Sequence, residues 1–282
     1  MATLNKVTMK KRRLAIVLLD IIGSTAFVAK VGDVKASQWF HYHDQLTRNL
    51  VLKYSGREID RSDGFLLSFE SILDAVNFSL RYQDTIPTKT RLNTRIGIHW
   101  GELVEVEQDE LWVGVGAKKI ELEGITKNIA ARTMSLCGPG QVLLTQQAYS
   151  LVRGRSNMFT PENAMYACVG MYRFKGVKEP LVVYAVGTEI KKMQPPPSSE
   201  KAKRLGGPKY IKMKARDRKL KDWAFWFYKK IEIICVIYAI YVFIQVGNSR
   251  LTRDLLGLQC LEWVEDVVKF VKDLINATWG NL

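Results

Sequence analysis

The sequence predicts an α+β fold whose first part is a ferredoxin-like βαββαβ unit, and three observations support this prediction. Short apolar runs typical of strands alternate with stretches that repeat apolar residues at helical spacing. Residues 62–64 form a Ser-Asp-Gly turn signal between two of these runs, which is typical of a hairpin. A proline-rich stretch at 191–203 interrupts the pattern and indicates a domain boundary.

The elements of this unit follow one another in the expected order. The first strand occupies 12–19 and leads to an amphipathic helix at 38–56, which ends on a glycine. The two hairpin strands follow at 57–61 and 65–69. A second helix at 71–86 and the long strand "TRIGIHWGELVEVE" complete the βαββαβ pattern.

Further elements are expected beyond this unit. The stretch "KKIELEGITKNIAARTMSLC", at 118–137, predicts a helical region whose start Gly124 should disturb. Additional strands are predicted at 141–145, 171–176 and 181–187. The four cysteines are scattered without a Cys-x-x-Cys spacing, so neither a disulfide framework nor a zinc site is expected.

The net charge of +14 is concentrated in one segment of the chain. Residues 201–230 contain 12 lysines and arginines against 2 aspartates, a net charge of +10, which leaves +4 for the other 252 residues. The main domain therefore needs no large basic face. Nucleic acid is not expected as a partner.

The first strand ends on a carboxylate, Asp20, which needs a partner because an unpaired buried charge is costly. The hairpin turn supplies a candidate in Asp63, since a strand end and a hairpin turn of a βαββαβ unit can lie side by side. Two neighbouring carboxylates repel each other, and a divalent metal ion together with a phosphate group would resolve this. Gly23, Ser24 and Thr25 then fit as a turn and helix N-terminus that binds phosphate.

Local spacing alone also permits a helix-capping role for Asp20 and a turn role for Asp63. Read together, however, the strings "LLDIIGST", "SDGFLLSF", "TRIGIHWGE" and "NIAARTMSLCGPGQVLLT" resemble the class III nucleotidyl cyclase family over residues 12–187. They look like the two metal motifs, the central strand, and the Asn-x-x-x-Arg helix with its following strand. The resemblance implies a cyclase that works by two-metal catalysis.

The resemblance assigns roles to individual residues. It implies that Asp20 and Asp63 bind two divalent ions, Mn²⁺ or Mg²⁺, with the Ile21 carbonyl as an extra ligand. One ion would help to deprotonate the ribose 3′-hydroxyl, and the other would hold the triphosphate. For both aspartates, the ordinary structural role in a cap or a turn is the alternative.

Four further residues match positions that contact the nucleotide in this family. Arg95 and Lys175 would bind phosphates, although solvated surface cations are the common alternative. Asn128 would orient the ribose, and Arg132, one turn later on the same helical face, would stabilise charge on the transferring phosphorus. In this family the metal ligands and the Asn-x-x-x-Arg pair of one site come from different subunits. The resemblance therefore implies a homodimer with two equivalent interfacial sites.

The resemblance also locates the residues that read the base. Adenylyl cyclases carry a Lys and an Asp there, and guanylyl cyclases carry a Glu and a Cys. Here the Lys position falls on Ile59, or on Asp60 if one residue is deleted, and the Asp position falls on Glu121. The purine-reading set is therefore absent.

Two strings, "GREIDRSDGFLLSFE" and "LEGITKNIAARTMSL", look like the pyrimidine cyclases of bacterial Pycsar antiphage systems. Those enzymes make cyclic CMP or cyclic UMP, which activates an effector. The alternatives are an adenylyl cyclase with atypical base recognition and a catalytically weak nucleotide-sensing module. His41 and His43 are interpreted as helix-surface or interface residues, and His99 as a packed residue of the central strand.

Three segments are expected along the chain: a catalytic domain at 1–190, a proline-rich and then basic linker at 191–222, and a tail at 223–282. The tail is predicted to contain a transmembrane helix, with its apolar run at 231–246, and an amphipathic C-terminal helix. The alternatives are an interfacial anchor and an amphipathic or oligomerising pair of helices that pack against each other. The basic segment before the run favours the cytoplasmic side. The predicted location is the cytoplasmic face of the bacterial inner membrane, with the cytoplasm as the alternative.

Overall fold

The computed structural model describes residues 8–62, 64–153 and 164–246, together with residues 266 and 269. The chain forms two compact units, Met1–Pro208 and Lys209–Leu282. Asp63, and most of the segment for which the sequence predicts an amphipathic C-terminal helix, lie outside the described residues.

The first unit is built on one sheet, with helices against its two faces. In the described part of the chain its strands are β1 (Thr8–Ile21), β2 (Gly56–Arg61), β3 (Gly64–Phe69), β4 (Thr94–Glu107), β5 (Ile120–Glu123), β6 (Val142–Thr145), β7 (Met165–Phe174), β8 (Leu181–Gly187) and β9 (Ala202–Gly206). Its α-helices there are α1 (Ser24–Val31), α2 (Asp33–Lys53), α3 (Ile72–Thr90), α4 (Glu110–Gly114), α5 (Ile125–Leu136) and α6 (Gln146–Arg153).

The strand order is β2-β3-β1-β4-β6-β8-β7-β9, with β5 paired to β4. Strand β1 lies between β3 and β4 and is antiparallel to both. Helices α2 and α3 connect the strands of the β2-β3-β1-β4 half, which is the βαββαβ arrangement that the sequence predicts. The α+β fold class and its ferredoxin-like core are therefore confirmed.

The side chains of β1 alternate between two cores because successive residues of a strand point to opposite faces. Ala15, Val17 and Leu19 pack into the larger core, which also contains residues of α2 and α3. Leu14 and Ile16 pack on the other face, where α5 contributes to the core. By the same alternation Asp20, at the end of β1, belongs to the face that α5 covers.

The helical prediction for 118–137 is only partly right. Residues Ile120–Glu123 form strand β5, which pairs with β4 and buries Leu122. Gly124 adopts φ 129°, a conformation that other residues rarely take, and the helix begins at Ile125. The glycine thus separates a strand from a helix, because the exposed edge of β4 provides hydrogen bonds that the local sequence pattern does not reveal.

The first unit continues past residue 190, where the sequence predicts the catalytic domain to end. A 3-10 helix at Ile190–Met193 is followed by β9, which pairs with β7. The proline-rich connection is held by its carbonyl groups: Tyr172 Oη donates to Pro196 O at 2.8 Å, and Gln141 Nε2 donates to Gln194 O at 2.8 Å. Proline lacks an N–H but still accepts hydrogen bonds, so the segment packs although it cannot form a regular element.

Helix α7 (Pro208–Val246), a continuous helix of 39 residues, makes up nearly all of the described part of the second unit. It includes the last part of the predicted linker and the apolar run at 231–246. Among the helices that the structure describes, none is both long enough and apolar enough to cross a membrane. The predicted transmembrane helix is therefore not supported.

Candidate active site

The centre of the candidate site is an ion pair at one end of the sheet. Asp20 on β1 and Arg95 on β4 lie directly opposite each other in the antiparallel ladder. Arg95 Nε lies 3.0 Å and Nη2 2.6 Å from Asp20 Oδ2. Within the described residues these contacts leave Oδ1 available. Asp20 is thus a partly exposed carboxylate with one cationic neighbour.

The chain turns sharply after β1. Gly23 adopts φ 73°, in the left-handed region that suits glycine, and it is followed by α1. The first N–H groups of a helix have no partner within it, so those of Ser24 and Thr25 are available to an anion. A cavity of about 550 Å³ adjoins this turn and is lined by Ile21, Ser24, Thr25, Val28, Ala29, Phe40, Arg61 and Ser62. The predicted phosphate-binding turn thus borders a cavity of suitable size.

The second predicted carboxylate, Asp63, lies outside the described residues, but its chain neighbours are placed. Gly64 lies directly opposite Asp20 in the register of β1 and β3. Ser62 N donates to Gly64 O at 3.2 Å, as expected for a tight hairpin. A Cβ at Gly64 would collide with the backbone oxygen of Leu19. Glycine is required here because the hairpin end approaches β1 so closely.

A buried polar network anchors the hairpin end to α2. Arg61 Nε donates to both carboxylate oxygens of Asp44 at 3.0 Å, and its guanidinium lies 5.1 Å from the centre of the Phe65 ring. His43 Nδ1 lies 3.0 Å from Asp44 Oδ1, and His43 Nε2 lies 2.6 Å from Tyr82 Oη. Burial alone would raise the pKa of Asp44, but hydrogen bonds from His43 and Arg61 outweigh it and lower that pKa.

The same network engages both ring nitrogens of His43. Burial raises the pKa of Tyr82 far above its usual value, so the phenol beside Nε2 stays protonated. Nδ1 donates to Asp44, because an ionised carboxylate has only acceptors. The interpretation of His43 as a helix-surface or interface residue is wrong, because only 1% of it is exposed. His99 is packed as expected, with Nδ1 2.7 Å from Thr145 Oγ1.

Helix α5 presents the predicted Asn-x-x-x-Arg pair. Asn128 is exposed, whereas Arg132 is half-buried. Arg132 Nε is inaccessible to solvent and has no hydrogen-bond partner within the described residues. A buried N–H without a partner is costly, so a movement of the side chain that brought a ligand oxygen to it would remove this cost. In the described part of a single chain, no hydrogen bond or ion pair joins Arg132 to Asp20.

Lys175 is exposed and lies at the other end of the sheet. Strands β1 and β7 run in opposite directions, and β4, β6 and β8 separate them. Asp20 and Lys175 each lie at or just past the end of their strand, so the strand directions place them at opposite ends. One chain therefore does not bring Lys175 to the Asp20 carboxylate.

The three candidate positions for base recognition have different surroundings. The Ile59 side chain packs against the apolar core beneath α5. Asp60 forms an ion pair of 2.5 Å with Lys118. Glu121 accepts a hydrogen bond from Gln108 Nε2 at 3.3 Å. No lysine stands at the purine-reading position. Lys118 nevertheless places a positive charge beside Asp60, which the motif comparison with purine cyclases does not predict.

The donor set at the strand end suits a divalent cation with oxygen ligands. The Asp20 carboxylate, one residue before the cavity-lining Ile21, matches the preference of Mg²⁺ and Mn²⁺ for carboxylate and phosphate oxygens. No group of three or more His, Cys, Asp or Glu side chains that could hold a metal occurs among the described residues. That Asp20 shares an ion with Asp63, the Ile21 carbonyl and the phosphates remains a prediction from the sequence.

Comparison with known families agrees with a site that binds a divalent ion and phosphates. Residues 7–187 match the model of the adenylate and guanylate cyclase catalytic domain, which is more than half of the chain. The chain belongs to the class III adenylate and guanylate cyclase family. Members of this family use divalent metal ions, generally two.

The individual relatives are distant. The receptor-type adenylate cyclase ESAG 4 of Trypanosoma brucei brucei is 26% identical over 219 residues, which are 63% of this chain but 17% of that protein. The adenylyl cyclase CyaB from P. aeruginosa has a TM-score of 0.56 at 18% identity over 64% of this chain and 95% of that chain. The guanylate cyclase domain of RhGC from Catenaria anguillulae, solved with GTP, has a TM-score of 0.54 at 17% identity over 63% and 97%. These two structures show the shared fold.

Proposed function

We propose that this cyclase converts a pyrimidine ribonucleoside triphosphate, CTP or UTP, to its 3′,5′-cyclic monophosphate and pyrophosphate. The observation that carries the proposal is the apolar packing of Ile59 at the position where adenylyl cyclases have a lysine. An aliphatic side chain offers no hydrogen bond to a purine edge. Glu121, at the aspartate position, is an acceptor, and Lys118 beside Asp60 offers a donor to a smaller base.

The proposed reaction is an in-line displacement at the α-phosphorus. A bond forms between ribose O3′ and the α-phosphorus while the bond to the bridging oxygen breaks, and pyrophosphate leaves. Divalent ions, when bound, supply positive charge that favours loss of the 3′-hydroxyl proton and of pyrophosphate. Asp20 and Asp63 hold these ions, while Arg95 and the N–H groups of Ser24 and Thr25 bind the phosphates.

The remaining groups come from the second subunit in this proposal. Asn128 orients the ribose, Arg132 stabilises charge on the transferring phosphorus, and Lys175 binds a phosphate. The exposure of Asn128 and the position of Lys175 at the opposite end of the sheet support a partner contribution. We therefore propose a homodimer with two equivalent sites.

A second candidate substrate is ATP. The curated relative from Trypanosoma brucei brucei is an adenylate cyclase, which favours an adenylate cyclase with atypical base recognition. A catalytically weak nucleotide-sensing module is the third candidate, and the unpartnered Nε of Arg132 suits either catalysis or mere binding. These candidates differ in which cyclic nucleotide, if any, is formed.

Incubation of the full chain with each of the four ribonucleoside triphosphates and Mn²⁺ or Mg²⁺ distinguishes them. We expect a cyclic pyrimidine nucleotide and an equal amount of pyrophosphate, measured by chromatography with mass spectrometry. Asp63→Ala should abolish formation of both products, while Asp84→Ala, a surface substitution on α3, should not. Cyclisation of ATP alone would favour the second candidate, and nucleotide binding without any product would favour the third.

Two further proposals concern the cellular role. The likeness to pyrimidine cyclases suggests that the product activates an effector in antiphage defence, so phage protection should require Asp63 and the effector together. The exposed Trp223 and Trp226 among the lysines of α7 support attachment at the cytoplasmic face of the bacterial inner membrane. Recovery of the full chain in the soluble fraction at low and high salt would contradict attachment.

A further inference from the structure

The ion pair between Asp20 and Arg95 has an unusual geometry for a metal site. Both guanidinium nitrogens, Nε and Nη2, approach the same oxygen, Asp20 Oδ2, at 3.0 and 2.6 Å. The side chains are 20% and 28% exposed, so the pair is partly shielded from water. Charge-assisted bonds of this length are among the stronger hydrogen bonds in proteins. Arg95 thus occupies one of the two oxygens of the carboxylate that a cation would use, and its positive charge lies against the whole group.

The pairing of β1 with β4 prevents the backbone from moving Arg95 away from Asp20. Asp20 and Arg95 are direct partners in a ladder that extends along the whole of β1 and β4. The Cα positions are therefore fixed, and Arg95 can leave Asp20 only by changing its side-chain rotamer. A triphosphate that extended from the cavity lined by Ile21, the residue after Asp20, would offer the guanidinium several anionic oxygens in place of one carboxylate.

We propose that Arg95 is an internal competitor for the metal site, which holds Asp20 until a triphosphate draws the guanidinium away. This inference rests on the proposed function and deepens it. Without nucleotide, a divalent ion finds only Oδ1 available and lies close to the positive guanidinium, so it binds weakly. With a triphosphate bound, Arg95 contacts phosphate, its charge leaves the carboxylate, and both oxygens of Asp20 are available to the metal ion. Metal and triphosphate therefore assist each other's binding through Arg95, in addition to their direct contact.

The test measures Mn²⁺ binding without any nucleotide, by electron paramagnetic resonance or calorimetry at low ionic strength. Arg95→Gln should bind Mn²⁺ at least about fivefold more tightly than the unaltered chain, the lower range of typical coupling between two sites. The same variant should bind a non-hydrolysable triphosphate more weakly. These opposite changes are the signature, because simple loss of structure would weaken both.

Two further variants make the result specific. Arg57→Gln removes another cross-strand arginine–carboxylate pair, that with Glu105, and should change neither affinity. Arg95→Lys retains the charge with a single nitrogen and should give an intermediate Mn²⁺ affinity, which keeps the test valid if Arg95→Gln folds poorly.

The outcomes separate this inference from the proposed function. Equal or weaker Mn²⁺ binding by folded Arg95→Gln and Arg95→Lys would overturn the inference while leaving the metal site intact. Failure of the unaltered chain and of both variants to bind Mn²⁺ would overturn the metal site itself, and with it the inference. Loss of binding on Asp20→Asn would show that the measured ion uses this carboxylate.

Discussion

At the scale of single residues, burial decides the ionisation of His99. Only 4% of this residue is exposed, and burial lowers its pKa to about 4. An unfolded histidine titrates near 6.5, so between about pH 4 and pH 6.5 the unfolded chain binds more protons than the folded chain. The free energy of unfolding should therefore fall as the pH decreases through this range, by up to about 3 kcal/mol.

Denaturant unfolding at several pH values tests this expectation. His99→Gln can still bond to Thr145 but cannot titrate, so it should remove most of the pH dependence between 4 and 6.5. His41→Gln changes an exposed histidine of α2 and should leave the dependence as it is. The same slope in all three proteins would show that His99 is not responsible.

The Asp44–Arg61 pair should contribute more to stability than a surface pair between the same two elements. Asp44→Asn weakens charge-assisted bonds between side chains that are 15% and 20% exposed, and we expect a loss of about 2 kcal/mol. Arg48→Gln breaks the more exposed Arg48–Glu58 pair, also between α2 and β2, and should cost less than about 1 kcal/mol. Thermal and denaturant unfolding give both values, and equal losses would contradict the proposed anchor.

At the scale of elements, the contact between β4 and α5 has no room for a side chain at Gly97. A Cβ there would overlap the backbone of Met134, so Gly97→Ala must push the helix away from the strand. We expect a loss of about 1–3 kcal/mol and a larger loss of cyclase activity, because α5 carries Asn128 and Arg132. Gly114→Ala is the control, since a Cβ there has open space around it. Normal activity of Gly97→Ala would show that α5 need not be held this closely.

Elements with local signals were predictable from the sequence. The apolar run of β1, the Ser62 to Gly64 turn and the amphipathic pattern of α3 each reflect hydrogen bonds or burial within a short stretch. Strands β5 and β9 were not predicted, because each depends on pairing with a distant strand edge. Propensity alone cannot reveal such an edge.

The candidate site shows the same division. Asp20 and Arg95 were predicted as site residues from the motifs, but their direct pairing follows from the register of β1 with β4. The Arg61–Asp44–His43 network was missed because its members belong to different elements, and only His43 and Asp44 are neighbours in the sequence. The assigned roles of Asn128, Arg132 and Lys175 remain predictions, since they depend on a second subunit.

At the scale of the whole molecule, the central claim is that two chains complete each active site. Asp20 and Lys175 lie at opposite ends of the sheet in one chain, so Lys175 would have to come from a partner chain. We propose that Asn128 and Arg132 come from the same partner. Asp63→Ala and Arg132→Ala should each be inactive when prepared alone. In a mixed dimer, one site combines two altered groups, whereas the other retains both.

The most direct measurement is the rate of cyclic nucleotide formation by an equimolar mixture of Asp63→Ala and Arg132→Ala after subunit exchange. If about half of the dimers are mixed and each has one complete site, the mixture should recover about a quarter of the unaltered activity. Exchange is confirmed separately by two distinguishable affinity tags. An inactive mixture despite confirmed exchange would contradict the shared site, as would an active Asp63→Ala or Arg132→Ala protein alone.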